Sequence, residues 1–303
     1  MKGGASSSTR RRLVPYALLG PGLVWLLLFF VLPMYFMGEV ALRSGTLETG
    51  FQFNWEFSNF SDALSRYDEN FIRSFIYAGV STVLALAIGY PLAYFIAFRG
   101  GRWKNALLFV VVAPFFTTYL IRTIGWTTIL SDDSVVVDVA GSLGILDLFQ
   151  TLGFTDTDNR LLATPVAVIA GITYNFLPFM ILPLYASLER IDQSMIEAAK
   201  DLYSSARQAF LKVTLPLSAP GIVAGTLLTF IPAAGDYVNV IFLGSGNQSM
   251  VGNAIQSLYL NLRDYPTAAA LSFMLMAVIF AIVVVYIRFA GSEALMGDEE
   301  EAT

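Results

Sequence analysis

Six apolar stretches, each long enough to cross a lipid bilayer as a helix, constrain this chain more than any other feature. A helix spans the hydrocarbon core with about 20 predominantly apolar residues. Only 14% of the 303 residues are charged, whereas a soluble domain averages about 25%. The sequence therefore predicts an all-α integral membrane protein with six transmembrane helices. The predicted spans are residues 13–36, 71–98, 106–130, 161–188, 221–243 and 267–289.

The first stretch follows three arginines, Arg10 to Arg12, and so has the basic flank of a secretory signal peptide. It is too long for the apolar region of a signal peptide and lacks a small-residue cleavage site. We interpret it as a retained span, which leaves residues 1–12 as an N-terminal tail.

The chain has no cysteine and no histidine. This excludes disulfides, thiolate nucleophiles, zinc sites built on Cys or His, and acid–base chemistry by imidazole. The sequence accordingly predicts no catalytic residue and no metal site, and an enzyme is disfavoured.

Basic residues concentrate in the tail and loops of one side, which predicts the orientation by the positive-inside rule. Twelve of the 18 Lys and Arg residues belong to this side: Lys2, Arg10, Arg11, Arg12, Arg99, Arg102, Lys104, Arg190, Lys200, Arg207, Lys212 and Arg288. The loop between spans three and four is acidic instead, with Asp132, Asp133, Asp138, Asp147, Asp156 and Asp158. Both termini are therefore predicted to be cytoplasmic, and residues 291–303 read as a solvated acidic tail. In the same acidic loop, residues 141–146 are predicted to form a short amphipathic or re-entrant piece.

A polar segment of the predicted cytoplasmic side, residues 189–220, has the pattern of a structured loop. Residues 192–210 are compatible with a helix, with Asp192 as its N-cap and an apolar stripe that includes Met195, Ile196 and Ala199. An interfacial helix lying on the bilayer has the same pattern. Its polar face mixes charges of both signs, however, which favours a docking site for another protein.

The segment contains Glu197-Ala198-Ala199 and, further along, Leu215-Pro216. In residues and spacing it resembles the EAA motif of ABC-importer permeases, which reads Glu-Ala-Ala, three residues, Gly, nine residues and Ile-x-Leu-Pro. Tyr203 stands where the family has Gly, a residue that readily accepts positive φ, so we expect a changed turn or a continuous helix here. The resemblance assigns the ATPase-coupling role to Glu197, Ala198, Ala199, Asp201, Leu202, Tyr203, Leu215 and Pro216.

Three further stretches resemble the spermidine/putrescine branch of that family, its B-type permease subunit. They are residues 119–123, 174–185 and 235–238, and the likeness extends over about residues 13–290. It implies the type I ABC-importer permease fold (MetI-like), carried here by a six-helix domain over 13–290 in the cytoplasmic membrane of a bacterium.

The resemblance also implies partners. A second homologous permease would pair with this subunit, two cytoplasmic ATPases would dock on the loops, and an extracytoplasmic solute-binding protein would deliver the ligand. The chain lacks a Gly-x-x-x-x-Gly-Lys-Ser/Thr phosphate loop, so ATP and Mg²⁺ would be bound by the ATPase subunits and by no site here. No feature predicts a nucleic-acid partner.

Two charged residues fall within predicted spans, Asp236 and Arg122. A carboxylate in hydrocarbon is costly and faces the bundle interior or a wet cavity. Asp236 is either an ion-pair partner for Arg122 or the second subunit, or a group that attracts a cationic solute. For Arg122 we favour a structural role, because a positive group does not suit a path for polyamines.

The other candidates for the substrate path are Tyr237, Tyr174, Asn175 and Trp126. Aromatic faces suit the methylene chain and the ammonium groups of a polyamine, although core packing is the commoner role for each of these rings taken alone. Asn175 precedes Pro178 and Pro183, so its amide either binds substrate or satisfies a carbonyl freed by a kink.

The predicted function is that of a permease subunit of an ATP-driven importer, moving polyamines by alternating access. An ABC permease for ferric iron, an anion or another small solute is the first alternative, although Asp236 argues against an anion. A self-sufficient secondary transporter or channel is the second, and such proteins carry their own coupling-ion sites.

Overall fold

The computed structural model of the protein describes residues 18–151, 160–201 and 205–290. The predicted N-terminal tail, residues 13–17 of the first predicted span, Asp156, Asp158, Leu202, Tyr203 and the acidic tail lie outside the described residues.

The described part of the chain is built almost entirely of helices. In chain order they are α1 (Leu18–Ala41), α2 (Ser58–Arg99), α3 (Gly101–Phe116), α4 (Tyr119–Ile129), α5 (Val135–Ser142), α6 (Ile145–Thr151), α7 (Pro165–Glu189), α8 (Gln193–Asp201), α9 (Ala206–Leu217), α10 (Ala219–Ala234), α11 (Val238–Leu243), α12 (Val251–Gln256) and α13 (Tyr265–Ala290). Two short antiparallel strands, β1 (Arg43–Ser44) and β2 (Gln52–Phe53), form a hairpin in the register Arg43 to Phe53 and Ser44 to Gln52.

Four of these helices, α1, α2, α7 and α13, are individually long and apolar enough to cross a membrane. Two bent pairs, α3 with α4 and α9 with α10, bring the number within the described residues to six if each pair is one span. The six-span prediction is therefore compatible with the structure, but two of the spans are not the single helices that the sequence predicts.

The third predicted span, 106–130, is wrong as a continuous helix. α3 and α4 meet at an angle of 96°. The break falls at Thr117 and Thr118, whose backbones are extended, with ψ of 137° and 147°. Because Pro114 lies in the 3₁₀ turn just before them, the helical ladder is already weakened where the chain changes direction.

The fifth predicted span, 221–243, is also interrupted. α10 ends at Ala234, and α11 begins only at Val238. Asp236 therefore lies in the break between two helices and not within a continuous helix. The N–H of Asn239 bonds the side chain of Asp236, with N to Oδ1 at 2.9 Å, so a side chain takes over the role of the backbone ladder.

The chain divides into two compact units. The first contains residues up to Arg66 together with Ser257–Met274. Its small core packs Ala41, Ala269 and Ala270 against Met37 and other apolar side chains. The apolar side chains of α1 are largely exposed along its length, as expected for a helix whose solvent is lipid.

The second unit contains residues 67–256 and the chain from Leu275 onward. One apolar cluster of this unit surrounds Ile172, Phe176 and Leu243, and another surrounds Met180, Leu184 and Leu188. Both clusters draw on α7, which is the central helix of the unit. α7 remains one helix although it contains Pro178 and Pro183.

Glycines let α10 approach α7 closely. A methyl group on Gly221 would lie 2.6 Å from Ser187 Cβ and 2.7 Å from the carbonyl oxygen of Pro183. A methyl group on Gly225 would lie 2.8 Å from Met180 Sδ. Small residues at such crossings allow backbones to pack directly against each other in a membrane.

Two polar contacts between residues far apart in the sequence join parts of the second unit. At one end Lys104 Nζ lies 2.5 Å from Glu189 Oε1, which joins the start of α3 to the end of α7. At another point Arg73 Nη1 donates to the carbonyl oxygen of Ser249 at 2.8 Å. This bond joins the part of α2 that belongs to the second unit to the loop before α12. The start of α3 and the end of α7 therefore meet at one end of this unit, which is compatible with the prediction that the chain segments next to them lie on one side of the membrane.

Candidate functional site

The predicted coupling loop contains α8, which begins where the sequence predicts. The N–H of Ser194 donates to Asp192 Oδ1 at 2.9 Å, so Asp192 caps the helix as expected. The backbone and the hydroxyl of Ser194 lower the pKa of the exposed Asp192 carboxyl. The cap is therefore ionised at neutral pH and complements the helix N-terminus.

α8 has one side on the protein and another exposed. Ile196 packs against the cluster around Met180 and Leu188, and Ala199 is half-buried. Glu197 and Ala198 are exposed, and Met195 is 50% exposed. The helix is thus anchored by its apolar stripe and offers a face that combines a carboxylate with small and apolar groups. Lys200 and Asp201 lie in its last turn.

The second half of the loop is a separate helix. Ser205 has an extended backbone (φ −65°, ψ 157°) and forms a capping box with Gln208 at the start of α9. A continuous helix over residues 192–210 is therefore wrong, because the chain leaves helical geometry at Ser205. Leu215 is half-buried and Pro216 is exposed in the last turn of α9.

Asp236, the main path candidate, lies in a closed polar cluster. It is 6% exposed. The Tyr119 hydroxyl donates to Oδ2, and Asn239 donates both its backbone N–H to Oδ1 at 2.9 Å and its amide Nδ2 to Oδ2 at 3.0 Å. The carboxylate is thus surrounded by three donors, which offset part of the cost of burying it.

Asn175 belongs to the same cluster. It is 1% exposed, and its Nδ2 lies 3.2 Å from Thr123 Oγ1 and 3.2 Å from Asn239 Oδ1. The structure therefore brings two sequence-predicted residues, Asp236 and Asn175, together through Asn239. Three helices meet in this cluster, because Thr123 lies in α4, Asn175 in α7 and Asn239 in α11.

The predicted pairing of Asp236 with Arg122 is not formed. Within the described part of the chain Arg122 makes no ion pair; its guanidinium lies over the rings of Phe115 and Tyr119, 5.7 Å from each centroid. Its Nε and Nη1 atoms are buried and have no hydrogen-bond partner among the residues that the structure describes. The cation thus lies against aromatic faces, and it shares Tyr119 as a neighbour with the carboxylate.

The remaining path candidates are aromatic and more accessible. Tyr174 and Trp126 meet edge to face with ring centroids 5.5 Å apart. Tyr174 is 37% exposed and Tyr237 is 42% exposed. The predicted path residues thus divide into a closed polar pair and three rings that a ligand can reach more readily.

Sequence reasoning missed Tyr119 and Asn239 as the partners of Asp236. One signal for Asn239 was present, since an Asp three residues before another polar residue at the start of an apolar run has the pattern of a helix cap. For Tyr119 no local signal exists, because it lies 117 positions from Asp236 in the sequence.

The fold is that of an ABC-importer permease. It superposes on a chain of a bacterial ABC transporter involved in the import of the acidic polysaccharide alginate with a TM-score of 0.64, at 19% identity, over 93% of this chain and 96% of that one. A second structure of a bacterial alginate ABC transporter, in complex with an alginate pentasaccharide-bound periplasmic protein, gives a TM-score of 0.63 at 19% identity over 97% and 99%.

Residues 86–290 match the family model described as the inner membrane component of binding-protein-dependent transport systems. The chain belongs to this family, and it is a multi-pass inner membrane protein that acts in transport and not as an enzyme.

Its similarity to individual relatives is extensive. It is 35% identical over 266 residues to the spermidine/putrescine transport system permease protein PotB of Escherichia coli (strain K12), covering 87% of this chain and 93% of that protein. The PotB of Haemophilus influenzae is 34% identical over the same length, covering 87% and 90%. The inner membrane ABC transporter permease protein YdcU of Escherichia coli (strain K12) is 29% identical, covering 73% and 71%.

Proposed function

We propose that this chain is a permease subunit of an ATP-driven importer of the polyamines spermidine and putrescine. The observation that carries the proposal is the 35% identity to the spermidine/putrescine permease PotB, which extends over 87% of the chain. Transport proceeds by alternating access, in which rigid groups of helices expose the path first to one side of the membrane and then to the other.

The subunit works in an assembly. It pairs with a second homologous permease, two cytoplasmic ATPases supply the energy from ATP and Mg²⁺, and an extracytoplasmic solute-binding protein delivers the polyamine. The exposed face of α8 around Glu197 and Ala198 supports an ATPase contact, because the buried side of this helix is anchored on the core through Ile196. Movement of a docked ATPase is thereby passed to α7.

Tyr174, Trp126 and Tyr237 supply aromatic faces for the methylene chain and the ammonium groups of the substrate. Asp236 contributes a negative potential from behind the Tyr119 hydroxyl, which lowers the cost of bringing a cation into a partly dehydrated path. A negative potential beside the path attracts a cation and repels an anion, so this arrangement favours a cationic ligand.

Uptake by the reconstituted transporter tests the substrate. Proteoliposomes that contain this chain with its partner subunits and binding protein should accumulate labelled spermidine or putrescine when ATP is supplied. Ferric iron and small anions should neither accumulate nor compete. Accumulation of one of these solutes without polyamine uptake would reject the polyamine assignment, and ATP-independent uptake by this chain alone would reject the importer class.

Docking is tested by a charge on the exposed face of α8. Ala198→Asp should reduce ATPase co-purification and coupled ATP hydrolysis, because a charge left unpaired in a buried contact is strongly unfavourable. Glu197→Ala should act in the same direction. Asn105→Asp is the matched control, since it adds the same charge at an exposed site in α3, near the same end but outside α8. Equal coupling in all three variants would show that α8 is not the docking surface.

A further inference from the structure

The helix pair α5 and α6 has a surface that neither the coupling loop nor the path uses. The two helices follow α4, and the Ser134 hydroxyl donates to the carbonyl oxygen of Ile129 at 2.6 Å. Ser134 also caps α5 by accepting from the N–H of Val137 at 3.2 Å. This hydrogen bond ties the start of α5 to the last residue of α4.

Three faces of α5 differ in chemistry. Val137 is buried in the apolar cluster around Ile172, and Ala140 packs against the same cluster. Asp138 and Ser142 form a second, polar face, beside a hollow that Asp132 and Arg160 also line. At 100° per residue these positions leave a third sector of the helix, which contains Val135, Val136, Val139 and Leu143.

The third sector is apolar and unusually exposed. Val135 is 76% exposed, Val139 is 49% exposed and Leu143 is 68% exposed. On α6, Leu148 is 55% exposed, while Leu146 is buried in the apolar cluster. A contiguous apolar surface of this kind marks contact with a partner or a membrane.

Continuity with the spans identifies the occupant. α4 belongs to a bent pair that is apolar enough to cross the membrane, and its Ile121, Ile124 and Ile129 are likewise exposed. Because Ser134 bonds to Ile129, α5 and its exposed apolar side chains follow directly on the exposed apolar residues of α4. Gly144, with φ of 70°, then turns the chain into α6.

We propose that α5 and α6 lie in the membrane interface, with Val135, Val136, Val139, Leu143 and Leu148 inserted among lipid acyl chains at the extracytoplasmic boundary. The polar face with Asp138 and Ser142 points to water, and the face with Val137 rests on the protein. The attachment is apolar, because the nearby charges are mainly acidic and do not attract anionic headgroups. The pair thereby fixes the outer end of α4 at a constant depth in the bilayer.

Spin labels test this placement, since the natural chain contains no cysteine. Single variants Val136→Cys, Leu143→Cys and Ser142→Cys would be labelled in the assembled transporter in nanodiscs of zwitterionic lipid. Collisions with oxygen, which concentrates in hydrocarbon, would be compared with collisions with a water-soluble nickel complex. Labels at positions 136 and 143 should collide with oxygen and lose nickel access, whereas the label at 142 should retain nickel access.

Two outcomes would overturn the proposal. Nickel access at all three positions would mean that the apolar sector faces water. Low collision rates with both reagents at positions 136 and 143 would mean that another protein subunit covers the sector. Leu148→Cys gives an independent measurement on α6, and it should report oxygen access together with positions 136 and 143.

Discussion

At the scale of single residues, the buried carboxylate of Asp236 depends on donors from two other residues. It lies in the break between α10 and α11, and its donors come from Tyr119 and Asn239. A buried charge that loses one of its donors keeps its desolvation penalty, whereas the remaining donors compensate only in part. The stability of this region therefore depends on the hydroxyl of Tyr119, which belongs to a helix far away in the sequence.

Replacement of Tyr119 by Phe removes only that hydroxyl. Tyr119→Phe should lower the free energy of unfolding by about 1–3 kcal/mol, because one buried donor is lost. Thermal unfolding of the purified subunit in detergent measures the change. Tyr237→Phe is the control: Tyr237 is 42% exposed, so its hydroxyl should contribute within about 0.5 kcal/mol. Equal stability of the two variants would contradict the role given to Tyr119.

The lack of an Asp236–Arg122 ion pair leads to a double-mutant prediction. Asp236→Asn and Arg122→Gln should each reduce stability, and the double variant should be no more stable than either single variant, since no ion pair joins the two groups although both contact Tyr119. Unfolding of both single variants and the double variant gives the comparison. Recovery of stability in the double variant would restore the ion-pair interpretation.

Uptake of spermidine by Asp236→Asn, measured in parallel, should fall if the negative potential assists the cation. Normal uptake by a stable Asp236→Asn variant would contradict that role.

At the scale of helices, the sequence predicts what depends on local chemistry. Asp192 caps α8 as predicted, because a cap is decided by residues within one turn of each other. The breaks at Thr117–Thr118 and at Gly235–Tyr237 were missed, because the hydropathy of both regions continues across them. The two breaks are joined by the hydrogen bond between Tyr119 and Asp236. These residues are far apart in the sequence, so no local stretch of sequence contains both.

The close approach of α7 and α10 depends on a glycine in the same way. Gly221→Ala should lower the free energy of unfolding by about 1–3 kcal/mol, because the added methyl group meets the backbone oxygen of Pro183 at 2.7 Å. Gly79→Ala is a matched control on another helix, since no atom of the described residues lies within 4 Å of its added methyl group. That variant should be neutral or slightly more stable, because Ala is the better helix former. Similar losses at both positions would indicate that packing between α7 and α10 is not what Gly221 provides.

At the scale of the whole molecule, the six apolar stretches and the basic loops were enough to predict the fold class and a common end for two of the loops. Lys104 and Glu189 meet at that end, although 85 positions separate them in the sequence. The division of the chain into two units was not predicted, because it depends on how residues 257–274 pack with residues near the start of the chain. Such packing leaves no periodic signal in either segment.

The orientation in the membrane remains a prediction of the charge distribution, with residues 100 and 204 and both termini in the cytoplasm, and residues 156 and 246 outside. Cysteine labelling can test it, and the structure selects the positions. Gly100 is unsuitable, because an added Cβ would lie 2.5 Å from the carbonyl oxygen of Ile96, whereas Arg102 is exposed and Gly246 has open space around it. In intact cells, a membrane-impermeant thiol reagent should label Gly246→Cys and leave Arg102→Cys unlabelled until the membrane is permeabilised. The opposite labelling pattern would show that the orientation is the reverse of the predicted one. α8 would then face away from the compartment that contains ATP, so the same experiment tests the docking role of that helix.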